Sequence, residues 1–280
     1  MKTPYLVLDG LNLDATDPIT GATFTTSRPF KGWGGVGSSI NIVPKTRAHG
    51  AAAGRAYFSA RHLVVNGLLK APSEAALDAA IDRLIDACGL DDTLLTIVEA
   101  RGPRWCMVRR EDEVLASKIT PTMASWSIQV VALDPRKFGT ELTASTGLAS
   151  VSGGLVIPFT IPYTIDSTVE SGQVSLINPG NEVGPVLVRI DGPVIGPGCT
   201  HVVSGLAVTV ATTLELGVGE WIDIDMEKHR VYAQGQAGRA NWITSRGWSG
   251  FEPGANTWGF SAATYSAGAR MTITATPAAQ

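Results

Sequence analysis

The chain has 280 residues, 44% hydrophobic and 17% charged, with 31 glycines and 7% aromatics, and this length exceeds one ordinary domain of about 100–200 residues, so two domains with separate cores are expected. Its 22 basic and 25 acidic residues give a formal net charge of -3, without the basic excess by which nucleic-acid binders neutralise phosphates. No stretch reaches the roughly 18 uninterrupted apolar residues of a membrane span, and Asp9 interrupts the N-terminal apolar run before it has the length of a signal peptide.

In chain order, Tyr5 to Leu13 (YLVLDGLNL) predicts two small strands around an Asp-Gly turn. Residues 14–55 are rich in Gly, Ser, Thr and Pro and include the run RPFKGWGGVGSS; a stretch of this length without regular structure is functional or mobile. A helix is predicted over 74–88, with Ser73 as N-cap and Gly89 as the stop, and with Leu77, Ile81, Leu84, Ile85 and Cys88 forming its apolar stripe. Strands are predicted over 94–98, 105–109 and 125–133; one helix against an antiparallel sheet makes the first domain, 1–138, α+β. Pro135 stops the last of these strands. Residues 139–173 read as a linker or excursion, and the short runs 186–190, 207–210, 213–216, 221–224, 230–232 and 270–276 predict a β-sandwich over 174–280.

The motifs that could carry chemistry weaken when weighed against their surroundings. Gly32, Gly34 and Gly37 match GxGxxG, but Ile40 to Val43 and Pro44 follow where a dinucleotide site needs a helix, so a flexible glycine loop is the expectation. His49, His62, His201 and His229 lack metal-ligand spacing, neither GxSxG nor a P-loop occurs, and no metal or cofactor is expected. Cys88, Cys106 and Cys199 are odd in number, have no CxxC spacing and read as reduced thiols. Asp223, Asp225 and Glu227 run straight into Lys228, His229 and Arg230, which suits a self-neutralising hairpin. Trp221, Trp242, Trp248 and Trp258 suit either a core or a sugar-stacking surface.

The order of features has a counterpart in a known family. An early strand pair precedes a glycine-rich loop, then Arg61-His-Leu with Val65-Asn-Gly-Leu-Leu, the capped helix, a hairpin, and Val131-Ala-Leu-Asp-Pro-Arg-Lys-Phe. The second half holds Asn178-Pro-Gly-Asn, Pro185-Val-Leu-Val-Arg-Ile-Asp-Gly, Gly219-Glu-Trp-Ile-Asp-Ile-Asp, Arg230-Val-Tyr and Pro253-Gly-Ala-Asn. Over most of its length the chain resembles the distal tail proteins of long-tailed, non-contractile phages. That resemblance implies a split-barrel first domain with one helix, a galectin-like or carbohydrate-module-like β-sandwich after it, and no catalysis. It also implies a homo-hexameric ring at the tail tip, with the tail tube protein on one face and the hub or tail-associated protein on the other. The protein would then belong to the virion and be assembled in the host cytoplasm.

For a ring, the 28–55 loop is the candidate interface: Phe30 and Trp33 as apolar groups, with Arg28, Lys31, Lys45, Arg47 and Arg55 as polar anchors. Two readings of Phe30 and Trp33 stay open, an interface or a pin that holds the loop to its own domain. The competing function is a carbohydrate-binding module that contacts a host-surface glycan through the sandwich tryptophans. A cell-wall enzyme would need paired carboxylates or a metal cluster, and neither occurs at suitable spacing.

Overall fold

A computed structural model describes residues 4–153 and 167–280. The chain divides into two compact units, residues 1–139 with the terminal Gln280, and residues 140–279.

In the first unit the strands lie in the order Leu11–Asn12, Tyr5–Leu8, Thr93–Glu99, Gly102–Arg110, Met123–Ala132, Arg61–Lys70 and Thr23–Thr26. Every neighbouring pair is antiparallel, and the sheet nearly closes into a barrel. The first hairpin forms as its Asp-Gly pair predicts: Leu8 faces Leu11, while Asp9 and Gly10 take φ values of 47° and 78°, the left-handed geometry that a two-residue turn needs. Alternation then sends Leu6 and Leu8, Leu95 and Ile97, Cys106 and Val108, and Ala124, Trp126, Ile128 and Val130 into one core.

The longest pairing joins Met123–Ala132 to Arg61–Lys70 along its whole length, and the latter strand buries Leu63, Val65 and Leu69. At the inward position between them stands Gly67. A β-carbon there would run into the Thr25 carbonyl and reach Trp126 Cζ2 at 2.5 Å, so the missing side chain is the space the indole fills. Trp126 also meets Phe24 edge-on at 6.4 Å between ring centres.

The helix runs Glu74–Ala87, and Ser73 caps it by accepting from the Ala76 N–H at 3.2 Å. Its buried face is Leu77, Ala80, Leu84 and Ala87, with Ile81 partly buried and Ile85 exposed. The predicted stripe is thus corrected at one edge: the small alanines let the helix sit close, and that rotation turns Ile85 outward. Gly89 does not adopt a left-handed conformation. The helix ends instead at Cys88, whose N–H reaches the carbonyls of Leu84 and Ile85.

The second unit packs two antiparallel sheets around one core. One orders Leu142–Gly147, Arg270–Ala275, Val186–Asp191, Trp221–Asp225, Arg230–Ala233 and Ala237–Gly238; the other orders Gln173–Asn178, Gly254–Ser261, Gly198–His201, Ala207–Val210 and Ile243–Arg246. Val188, Ile190, Ile222, Ile224, Met271 and Ile273 from the first sheet meet Val208, Trp258 and Phe260 from the second. Residues 142–147 therefore correct part of the linker expectation: Leu142–Gly147 pairs with Arg270–Ala275 as a strand. Its Thr, Ser and Ala side chains suit an edge strand with weak burial, which is why the stretch reads as a connector in sequence. Residues 154–166 of the same expectation lie outside the described residues.

Candidate functional site

Residues 38–58, expected as part of a glycine loop, form a two-stranded arm. Ser38–Ser39 pairs with Tyr57–Phe58, and Ile42–Pro44 pairs with Ala51–Ala53. The Lys45 N–H donates to the Gly50 carbonyl at 3.1 Å near the tip, and the Ser59 N–H donates to the Gly37 carbonyl at 2.9 Å at the base. β-Branched Ile42 and Val43 and aromatic Tyr57 and Phe58 favour extended backbone, and Gly50 at φ 93° supplies the turn. Every residue from 37 to 58 is exposed.

The root of this arm is the opposite. Trp33 is 6% exposed within the first unit's core, and its Nε1–H donates to Glu99 Oε1 at 2.7 Å. Arg104 lies 3.8 Å from the other Glu99 oxygen. Arg61, 1% exposed, donates from Nη1 to the carbonyls of Gly32 (2.7 Å), Trp33 (3.1 Å) and Gly34 (2.9 Å), and from Nε to Pro135 at 2.9 Å. Lys137 Nζ donates to the Trp33 carbonyl at 2.9 Å and stands 5.2 Å from the indole centre. Two buried cations thus take the backbone carbonyls of one glycine-rich turn as their acceptors. Burial, reinforced by the nearby Arg61 and Arg104 guanidinium groups, lowers Lys137 to about 8.

Gly32 sits at φ +84°, and a β-carbon there would collide with the His62 carbonyl and crowd Leu63 Cα at 3.2 Å. Of the motif glycines only Gly32 makes such a close backbone approach, Gly34 and Gly37 having open space around them, and no helix follows directly to hold a dinucleotide.

The five predicted interface residues separate into two groups. Trp33 is buried among the core residues of its own unit, the placement that the pin reading expects. Phe30 packs half-buried against the same core. Arg28 pairs with Asp14 at 3.4 Å and lies 5.8 Å from the Phe30 ring, so it too belongs to the root. Arg47 and Arg55 stand on the exposed arm, Arg55 over Tyr57 at 5.6 Å. Sequence reasoning missed Glu99, Arg61 and Lys137 as anchors, because a charged residue carries no local sign that its partner is an indole N–H or a backbone carbonyl far away in the chain.

One of the sandwich tryptophans is core and the other three each carry a side chain against a ring face. Trp258 is fully buried and donates to Ser249. Trp221 carries Arg189 over its ring at 4.4 Å, Trp242 carries Arg239 at 5.1 Å, and Trp248 stacks on His229 at 5.0 Å with a 16° interplanar angle. Asp225 caps the turn that follows it by accepting from the Glu227 and Lys228 N–H groups. Among the described residues no group of three or more His, Cys, Asp or Glu side chains could hold a metal ion, and no helix is long and apolar enough to cross a membrane. The three cysteines are free and buried, with burial pushing Cys106 and Cys199 up to about 12.

No protein-family model matches this chain, and no curated protein matches it. Among solved structures it is similar to the Dit protein of phage SPP1, a paradigm of the hub adsorption apparatus in phages that infect Gram-positive bacteria. That likeness has 15% identity, covers 99% of each chain and has a TM-score of 0.68. Weaker likenesses, at 12% identity, TM-score 0.46, 86% of this chain and 87% of the other, link it to the phage P2 baseplate in its activated conformation with calcium and with strontium. At these identities the SPP1 likeness establishes a shared fold across both units, and the P2 likenesses add no argument to it.

Proposed function

We propose that this protein is a structural subunit of a phage tail tip, of the distal tail type, and that it acts by binding other proteins without catalysing a reaction. The observation that carries this reading is the fold likeness to the SPP1 hub adsorption protein, which spans 99% of both chains and so takes in the barrel-like unit, the helix and the sandwich together. A likeness confined to the sandwich would carry little, since that architecture hosts many unrelated roles. In this reading the first unit closes a homo-hexameric ring, and the exposed 38–58 arm with Arg47 and Arg55 supplies part of the protein–protein contact. One ring face meets the tail tube protein and the other the hub or tail-associated adsorption protein. The second unit is a galectin-like or carbohydrate-module-like sandwich, and the protein resides in the virion after assembly in the host cytoplasm.

Light scattering of the purified full chain, together with negative-stain imaging, tests the ring. A particle near six times the 29.4 kDa chain mass with a central hole is expected. A compact monomer at every concentration overturns the ring reading.

A further inference from the structure

The arm is an unusual surface for a chain with net negative charge. It holds Ile40 (45% exposed), Ile42 (58%), Val43 (56%), Tyr57 (62%) and Phe58 (44%) in solvent. No carboxylate occurs between Asp17 and Glu74, whereas Lys45, Arg47 and Arg55 all stand on the arm. Among the described residues Lys45 and Arg47 have no carboxylate partner. Apolar and wholly cationic, such a surface fits an apolar floor with an acidic rim.

The first unit presents that counterpart elsewhere. An open cleft of about 430 Å³ lies between the end of the helix and residues 110–114, floored by Ile85, Leu90 and Val114 and rimmed by the acidic triplet Glu111, Asp112 and Glu113 against the single cation Arg110. Ile85 is 38% exposed and Leu90 73%. The last helical turn adds no basic residue and displays Asp86 outward, so its carbonyl end reinforces the negative field instead of being neutralised. His62 already holds Glu111 at 2.8 Å, which leaves Asp112 and Glu113 as rim carboxylates with no cation partner among the described residues.

We propose that the arm of one copy docks into this cleft on the next copy. Ile42 and Val43 cover Ile85, Leu90 and Val114, while Lys45 and Arg47 face Asp112 and Glu113. The contact is heterologous, arm to cleft, so each subunit gives one arm and receives one, which is the connectivity a closed ring requires. An interface of ordinary size takes roughly 20–30 residues a side, and the exposed segment 37–58 supplies most of one side. The inference rests on the ring reading above and deepens it by naming both halves of the contact.

Charge reversal tests it in the full chain. One variant carries Lys45→Glu and Arg47→Glu; the other carries Asp112→Lys and Glu113→Lys. Each variant alone is expected to stay at the mass of a single chain while the unchanged protein assembles. An equimolar mixture is expected to regain the assembly, because each reversed arm then meets a reversed cleft and each native arm a native cleft, alternating around an even-membered ring. Recovery on mixing also proves both variants folded, and far-UV circular dichroism checks each one separately. Assembly of both single variants like the unchanged protein overturns the arm-to-cleft contact and leaves the ring standing. Loss of assembly in the arm variant alone, with the cleft variant unaffected, shows that the arm docks on another surface or another protein and overturns the cleft assignment. An unchanged protein that is monomeric at every concentration overturns the ring and this contact together.

Discussion

Trp33→Ala separates a pinned root from a contact surface. The indole is 6% exposed, so truncation removes a large buried apolar group and leaves a cavity, a change that costs about 3–5 kcal/mol. Glu99 also loses its donor at 2.7 Å, but its other oxygen keeps Arg104 at 3.8 Å and its side chain is 29% exposed, so that loss adds only about 1 kcal/mol. The expected total is about 4–6 kcal/mol in the first unit. Trp33→Phe keeps most of the buried ring and removes the hydrogen bond, so about 1–2 kcal/mol is expected. Urea unfolding of the full chain, followed by far-UV circular dichroism, reads both values, and the second unit serves as an internal reference because none of its residues changes. A Trp33→Ala chain within about 1 kcal/mol of the unchanged protein that nevertheless fails to assemble refutes the pin and makes Trp33 a contact residue.

Gly67→Ala drives a methyl into the Thr25 carbonyl and the Trp126 ring, with no flexible chain end to yield on the backbone side; a loss above about 3 kcal/mol in urea is expected, and Gly37→Ala, with no neighbour within 4 Å and no left-handed φ, is the milder control. Ser73→Ala removes the side-chain acceptor of the Ala76 N–H and is expected to lower stability by about 1 kcal/mol, read from the same urea midpoint. Lys137 has a folded value of about 8, below its ordinary 10.5, so between these values the unfolded chain binds more protons and stability rises with pH across that window. Lys137→Met is expected to remove that rise, and equal slopes in the two proteins would refute the buried charge. A glycan array with the full chain is expected to show no specific binding, given that Arg189, Arg239 and His229 each already occupy one ring face of a sandwich tryptophan and Trp258 is buried.

What the sequence makes legible follows from local physics. The Asp9-Gly10 turn, the Ser73 cap and the alternating strand that ends before Pro135 each depend on neighbours a few residues away, and each forms where its pattern places it. Strand Arg61–Lys70 is harder to read, because the doubled Val64-Val65 and Leu68-Leu69 and the inward Gly67 blur its alternation; only the facing Trp126 explains the glycine. Strand Gly254–Ser261 hides for a similar reason, with Asn256 and Gly259 diluting a run whose Trp258 and Phe260 are core. The site is least legible of all. Glycine and serine content suggests mobility over 28–55, yet Ile42 and Val43 within it are β-formers that pair with the far side of the same segment. Arg61 and Lys137 are ordinary surface residue types until the fold buries them against carbonyls from residues 32–34.

The buried root and the exposed arm have to be considered together. A heterologous contact closes a ring only when the rotation between successive subunits divides a full turn, and otherwise grows an open filament. That rotation is set by the angle at which the arm leaves its own barrel, so an arm on a mobile loop would accept many angles and give mixed products. Arg61, Lys137 and Trp33 fix the departing turn by six hydrogen bonds, three from Arg61 Nη1, two from Lys137 to the Trp33 and Gly34 carbonyls and one from Trp33 to Glu99. Gly32 permits the backbone to press against His62. Gly32→Ala leaves every arm and cleft side chain in place but forces that turn away from the barrel. It is therefore expected to retain self-association while losing uniformity, which negative-stain imaging reads as rings of mixed size or open chains. Uniform rings from Gly32→Ala would show that the cleft alone sets the angle and that the buried root has no part in ring geometry.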